Sequence, residues 1–494
     1  MAKKIAAGDL TWLLMDRPNN LMQVHGLIGF DTVPDFAKLT DLVMDRMVGK
    51  YRVLSQIPVE RKGKWRWVDD KDFDIARHVT RVVLPDDDPE TMRAHMSSLF
   101  STPFPREHPL WQFQLVTGPD EDGPGYVIGR FHHGLADGIR LVQLIIGTCD
   151  PVTGATPPAV GRGGEQHENP FERLLSFAEQ SVTDTVDFAT GAGKAISKAG
   201  RQLVTTSNPL NLAHSVGEAL ETVRDPVRLM DAITSVGAVD NEWSNSWREI
   251  GRMLLADESD AGAWSGRPGV DKSVAWFEGY RLDDAKAVAR AFGGTLNDAL
   301  MAAVSLALTD YLSERGVKDV SDLSWLMPVS LRPVDAALPP TLGNHFAVVQ
   351  ISMPLGIRDP VALIAEIGER TTRLKNSAEP VVAFGMQRVI AESPLAVAQR
   401  ITNYFSNKTI GLLSNVPGPR VSLTMAGAPV RTVLGWVPTS GDQPIGVCLI
   451  SYAGTVGVAV ATDARMIPDP PRIAELIHHH LDTLAAAAAV TAAR

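Results

Sequence analysis

Apolar residues follow two different periods along this chain. Within 35–52, Phe36, Leu39, Leu42, Val43 and Met47 recur at helical spacing, and further helices are predicted over 89–100, 140–149, 282–291, 298–312, 361–374, 379–391 and 470–488. Shorter apolar runs of strand length lie at 22–30, 65–68, 126–131, 273–277, 326–333 and 347–353. A short helix is expected just before the first of them, from Leu10 to Met15. The stretch between Asp442 and Asp463 is uncharged and nominally long enough to cross a bilayer. Its β-branched halves flank Ala453-Gly454-Thr455, so a buried hairpin over 445–460 is the better reading. Strands and helices interleave throughout, which argues for an α/β protein.

A break interrupts this order. Residues 150–168 are rich in Pro and Gly and read as a linker. Phe171, Leu174, Leu175, Ala178, Val182, Val186, Ala189 and Ile196 then form a helical stripe, with Lys194, Lys198 and Arg201 near its end. Such a helix either packs across two lobes or meets a lipid surface through its apolar face and basic flank. A further helical stretch over 209–247 is interrupted at Pro226. The expected division is an N-terminal lobe over 1–150, linker and interlobe helices over 151–265, and a C-terminal lobe over 266–494.

Composition narrows the options. The 494 residues allow more than one lobe, each with a sizeable core. A net charge of −10 argues against nucleic acid as a partner, because that binding needs a basic face. Two cysteines, Cys149 and Cys448, fit a reducing compartment without disulfides. Met1-Ala2-Lys3-Lys4-Ile5 runs into Gly8 and Asp9 without an apolar signal core, so a cytoplasmic location is expected.

The candidate chemistry is at Phe131-His132-His133-Gly134-Leu135-Ala136-Asp137-Gly138, directly after an apolar strand. A histidine where a strand turns into a loop can take a proton from a hydroxyl near neutral pH, and a nearby aspartate can fix its tautomer or hold the turn. Neighbours at a strand end point to opposite faces, so the pair does not suit a metal, and no third ligand is spaced to join it. No metal is expected. His25 and His78 read as structural, and His478-His479-His480 on a helix fan out around its axis.

The segment HHGLADG resembles the HHxxxDG signature of the chloramphenicol acetyltransferase-like superfamily, which includes peptide-synthetase condensation domains and bacterial wax ester synthase/diacylglycerol acyltransferases. Other stretches resemble the latter branch, in family order: Phe73 to Val79, similar to the family's F-x-x-x-x-H-V strand, Pro109-Leu110-Trp111, Asn297-Asp298, Pro328-Val329 with Arg332, Gly343-Asn344, and Ser414-Asn415-Val416-Pro417-Gly418-Pro419. One departs from it: Gly262 to Gly269 stands where the family often has P-x-x-x-L-N-G, which puts acyl chain-length preference in doubt.

The resemblance implies a two-lobed α/β fold, chloramphenicol acetyltransferase-like and condensation-domain-like, with a tunnel between the lobes and His133 at its middle. It implies His133 as general base, with His132 supporting the turn through a backbone hydrogen bond. Trp111 would pack beneath the histidine strand. Asp137 would pair with Arg332 or, alternatively, with His133. Thr295 or Asn297 would cap the helix containing Asp298, and Asn344 would form a turn before a strand. Asn415 and Ser414, in a rigid loop, would contact substrate or an oxyanion or merely hold the turn, and a backbone amide near Gly138 could share the oxyanion. No cofactor is expected beyond acyl-CoA as co-substrate. The implied activity moves a fatty acyl group from acyl-CoA to diacylglycerol, a long-chain alcohol, or both, with peripheral contact to a membrane or lipid droplet left open. A carrier-bound thioester donor and a non-catalytic lipid-surface protein are the alternative readings.

Overall fold

Strand runs that are apolar at nearly every position, rather than at every second one, belong to a sheet covered on both faces. Gln23–Phe30 and Gly125–His132 are runs of this kind, buried at all but one position each. The computed structural model describes residues 3–120, 123–152, 264, 266–317, 322–330, 338–339, 342–344, 346–375 and 395–492. The linker and helices expected over 153–263, the helix over 379–391 and Arg332 lie outside the described residues.

From the N-terminus, β1 (Lys3–Lys4) leads to α1 (Ala7–Met15), β2 (Gln23–Phe30), α2 (Phe36–Val43), β3 (Gln56–Arg61), β4 (Lys64–Asp69) and β5 (Val79–Val83). Then come α3 (Pro89–Phe100), β6 (Trp111–Thr117), β7 (Gly125–His132), α4 (Gly138–Ile146) and β8 (Asp150–Pro151). The later part supplies β9 (Lys272–Arg281), α5 (Leu282–Ala291), α6 (Leu296–Glu314), β10 (Leu323–Ser330), β11 (Phe346–Met353) and α7 (Pro360–Lys375). The chain closes with α8 (Leu395–Ser406), β12 (Gly411–Pro417), β13 (Leu423–Met425), β14 (Ala428–Trp436), β15 (Ile445–Tyr452), β16 (Thr455–Asp463) and α9 (Pro470–Ala492).

Helix starts follow local chemistry. Asp35, Asp88 and Asp137 each accept a backbone amide from the first turn of α2, α3 and α4, and Pro89 opens α3 at the position where a missing N–H costs nothing. The one long helix expected over 35–52 is shorter: α2 gives way to a π-helical turn at Met44–Val48 and a 3-10 turn at Arg52–Ser55. The strand-like segment at 73–79 is instead a 3-10 turn, Ile75–Arg77, capped by Asp74, with β5 starting only at Val79. Asp74 binds the Ala76 amide and so diverts the backbone from an extended path.

The strands form a seven-stranded sheet in the order β5-β6-β7-β2-β14-β13-β8, a six-stranded sheet in the order β11-β10-β12-β15-β16-β9, and a small sheet β1-β4-β3. Strand β14, far along the chain, pairs antiparallel with β2, with Leu434 opposite Leu27 and Trp436 opposite His25. The later half of the chain thus completes the sheet that the first half begins. The hairpin β15–β16 is present, turned by Ala453 and Gly454 at φ of +44° and +86°. Among the described residues no single helix is long and apolar enough to cross a membrane. Helix α6 is buried nearly all round, packed between α5, α7 and α9, which is why its apolar residues show no single stripe.

Candidate active site

Strand β7 delivers the histidines, and its neighbours fix where they emerge. Trp111 sits in the adjacent strand β6, opposite Phe131 in register, so it supports β7 from beside rather than from beneath. The indole is buried, its Nε1 donates to the Leu54 carbonyl at 2.7 Å, and its ring stacks toward Phe131 with centroids 6.5 Å apart. The His132 amide donates to Leu110 O at 2.9 Å and the His133 amide to Met22 O at 2.7 Å, which anchors the turn on both sides.

His132 holds the turn through its own side chain. Its Nδ1 accepts from the Gly134 amide at 3.0 Å, so the ring proton is on Nε2, which lies 3.0 Å from Asp16 Oδ2. Asp16 is itself held by Arg106 at 2.7 Å and by the Met22 amide at 2.6 Å. These contacts keep its carboxyl below the usual range although burial acts the other way.

His133 is 5% exposed and packs against two rings, Trp12 of α1 stacked at 4.1 Å and Phe346 of β11 at 5.5 Å. Its Nδ1 is sealed from solvent, which leaves Nε2 as the nitrogen toward the cavity it lines. Burial pushes its pKa down to about 4, against the charge of Asp137, so the ring is neutral at pH 7 and can accept a proton. Asn344 donates from Nδ2 to the His133 carbonyl at 2.9 Å. The same Asn344 gives its backbone amide and Nδ2 to Asp9 Oδ1, at 3.1 and 2.9 Å.

Asp137 caps α4, accepting the Arg140 amide at 3.0 Å, and its other oxygen is 3.6 Å from Arg140 Nε. Arg140 also donates from Nη1 to Gly343 O at 2.8 Å, so α4 is tied to the loop before β11. The expected Asp137–Arg332 pair falls outside the described residues. Gly138 is the first residue of α4 and lines the cavity with no atom within 4 Å of where a Cβ would stand. Amides in the first turn of a helix have no intrahelical acceptor.

The cavity measures about 840 Å³, with His133, Asp137, Asn344, Ser414 and Asn415 on its polar side and Leu27, Leu434 and Ile450 on its apolar side. This size suits a ligand that is mostly hydrocarbon. Ser414 and Asn415 are not in a loop. They belong to β12, which runs parallel to β15 with Ser414 opposite Cys448, and the pairing overrides the turn signal of Pro417-Gly418. Asn415 Nδ2 donates to Asn297 Oδ1 at 3.0 Å, so Asn297 touches a cavity residue without lining the cavity. Asp298 is buried in the α6 cap, accepting from Thr295 and from Thr371 Oγ1. Among the described residues no three His, Cys, Asp or Glu side chains gather as a metal site.

Sequence reasoning missed Asp9, Trp12, Asp16, Arg140 and Phe346 as parts of the site. The i, i+3 spacing of Asp9 and Trp12 places them on one helical face, but nothing local says that this face meets a histidine 121 positions beyond Trp12.

Residues 5–231 match the wax ester synthase/diacylglycerol acyltransferase catalytic domain, and residues 342–485 match the WS/DGAT C-terminal domain. The chain is 25% identical to the "Probable diacyglycerol O-acyltransferase tgs1" of Mycobacterium tuberculosis, over 86% of this chain and 82% of that protein. Its fold is shared with the wax ester synthase/diacylglycerol acyltransferase from Marinobacter aquaeolei VT8, at a TM-score of 0.64 and 17% identity, covering 99% of this chain and 100% of that one. It is also shared with the first condensation domain of the calcium-dependent antibiotic synthetase, at a TM-score of 0.57 and 12% identity over 99% and 97% of the two chains. The two-lobed α/β architecture, the histidine motif and both domain matches agree: this chain is an acyltransferase of the wax ester synthase/diacylglycerol acyltransferase family.

Proposed function

We propose that the protein transfers a fatty acyl group from acyl-CoA to the hydroxyl of diacylglycerol, of a long-chain alcohol, or of both, with His133 as general base. The observation that carries this reading is a neutral imidazole packed against Trp12 and Phe346 on the wall of a largely apolar cavity. His133 Nε2 removes the hydroxyl proton as the oxygen attacks the thioester carbonyl, and the carbonyl carbon becomes tetrahedral. Amides at the start of α4, beside Gly138, and the side chain of Asn415 are suited to hold the oxyanion. Collapse breaks the carbon–sulfur bond, and the imidazolium returns its proton to the CoA thiolate. Asp137 favours the imidazolium by charge. No acyl-enzyme is needed, and Cys448, whose thiol burial pushes up to about 12, is a poor nucleophile.

The test is release of free CoA from palmitoyl-CoA by the purified chain with dioleoylglycerol or hexadecanol present, and ester formation in the same mixture. Acceptor-dependent release that His133→Ala lowers by at least about a hundred-fold is the expected result. Release from neither alcohol would sink the reading and favour a carrier-bound donor or a lipid-binding role.

A further inference from the structure

Asp9 stands at the third position of α1, where an acidic side chain ordinarily serves the helix's own first amides. Here the residue before the helix, Ala6, offers no side-chain cap, and Asp9 Oδ1 reaches away to the two N–H groups of Asn344. The rest of α1 lies on the histidine turn. Trp12 stacks on His133, and a Cβ at Gly134 would meet Leu13 Cγ at 2.7 Å and Asp9 O at 3.1 Å. On the other side of the same loop, Arg140 donates to the Gly343 carbonyl. An anion and a cation from the first part of the chain therefore grip one dipeptide, Gly343-Asn344. Gly343 adopts φ of +148°, which suits glycine, and a Cβ there would be 3.5 Å from both Asp9 oxygens.

We infer that Asp9 is a positioning residue for His133: it fixes Asn344, whose amide in turn fixes the His133 carbonyl and thereby the aim of the imidazole. The inference rests on the acyl-transfer reading above. A half-buried carboxylate that accepts two hydrogen bonds from a single residue costs desolvation, and that cost is visible in its pKa, pushed up to about 6. The charged groups that face it are Arg140 of α4 and Asp137, which caps that helix, with His133 just after β7. Arg140 lowers the Asp9 pKa and Asp137 raises it. Protonation near pH 6 weakens Asp9 as an acceptor and loosens Asn344. His133 itself stays neutral down to about 4, so the acid limb of the transfer rate belongs to Asp9.

The experiment measures kcat and KM for palmitoyl-CoA from pH 4 to 9 for the native chain, Asp9→Asn and Asp9→Ala, with thermal melting of each. Asp9→Ala is expected to lower kcat by about ten-fold or more while KM stays within about two-fold. Asp9→Asn, which keeps shape and an acceptor oxygen, is expected to lose less and to move the acid limb from about 6 toward about 4. Should Asp9→Ala fail to fold, the limb of Asp9→Asn decides. An active native chain whose limb is unmoved in Asp9→Asn, or whose kcat survives Asp9→Ala, overturns the inference alone. A native chain that transfers nothing overturns the acyl-transfer reading and this inference with it.

Discussion

Trp111 does not line the cavity, yet it packs against Phe131 of the strand that leads to the cavity's histidine. Its ring packs beside Phe113 and Phe131, at centroid distances of 6.1 and 6.5 Å, and its one polar atom is satisfied by Leu54 O. Trp111→Ala removes that ring and strands a carbonyl, so a loss of about 3–5 kcal/mol is expected in urea unfolding. Trp111→Phe keeps most of the apolar bulk and should cost clearly less. Equal losses for the two would mean that the ring is not what supports β7. At this scale the sequence is informative where chemistry is local. His132, His133, Asp137 and Gly138 share one turn and are legible as a unit. Asp9 and Trp12 are not, because their meaning depends on a helix docking across the turn, which no local pattern encodes.

Helix α6 shows how far element boundaries can be read. Thr295 and Asn297 are both candidate caps in sequence, and the structure selects Thr295: its Oγ1 and the Asp298 carboxylate exchange bonds with each other's backbone amides. Asn297 instead turns toward Met301 and Asn415. Thr295→Ala should cost about 1 kcal/mol, the usual worth of a cap. Asp298→Ala should cost more, about 2–3 kcal/mol, because that buried carboxylate accepts from the Thr295 amide and hydroxyl as well as from Thr371 Oγ1, and only Thr371 keeps another acceptor, Gly368 O at 3.2 Å. Unfolding midpoints in the reverse order would show that the cap, not the Thr371 contact, dominates. The misread element is β12. Its Pro-Gly pair marks a turn correctly, but the turn starts at the end of the strand, and parallel pairing with β15 is invisible in sequence because its partner lies some thirty positions away. For the same reason Asn415 aims from a rigid strand rather than from a loop.

Across the whole molecule, the two halves of the chain are stitched together. Strand β14 closes the first sheet against β2, and Arg431 of β14 reaches Glu278 of β9 at 3.0 Å and Asp31 after β2 at 3.1 Å. One consequence is that His25 of the first sheet is covered by a later strand. His25 lies opposite Trp436, stacks on Phe100 at 3.9 Å, and has its pKa driven well below the usual value by burial. His78 and His133 are also lowered, chiefly by burial. An unfolded chain takes up protons on these rings near pH 6.5, whereas the folded chain does so only at lower pH. Between those limits the unfolded state binds more protons, so stability falls as pH falls, by at most about 1.4 kcal/mol per pH unit for each ring. Asp9 works in the opposite direction. Its folded pKa of about 6 exceeds the ordinary 3.8, so the folded chain is protonated first, and acid between those values favours folding. One raised carboxyl offsets one histidine at most, and the balance remains on the side of acid destabilisation. The native chain should therefore unfold at a lower urea concentration at pH 5 than at pH 7. His25→Leu, which removes a titrating ring from an apolar stack, should shrink that difference by about 1–2 kcal/mol. An unchanged difference in His25→Leu would mean that the proton uptake lies elsewhere, and equal stability of the native chain at both pH values would mean that the buried rings do not govern it.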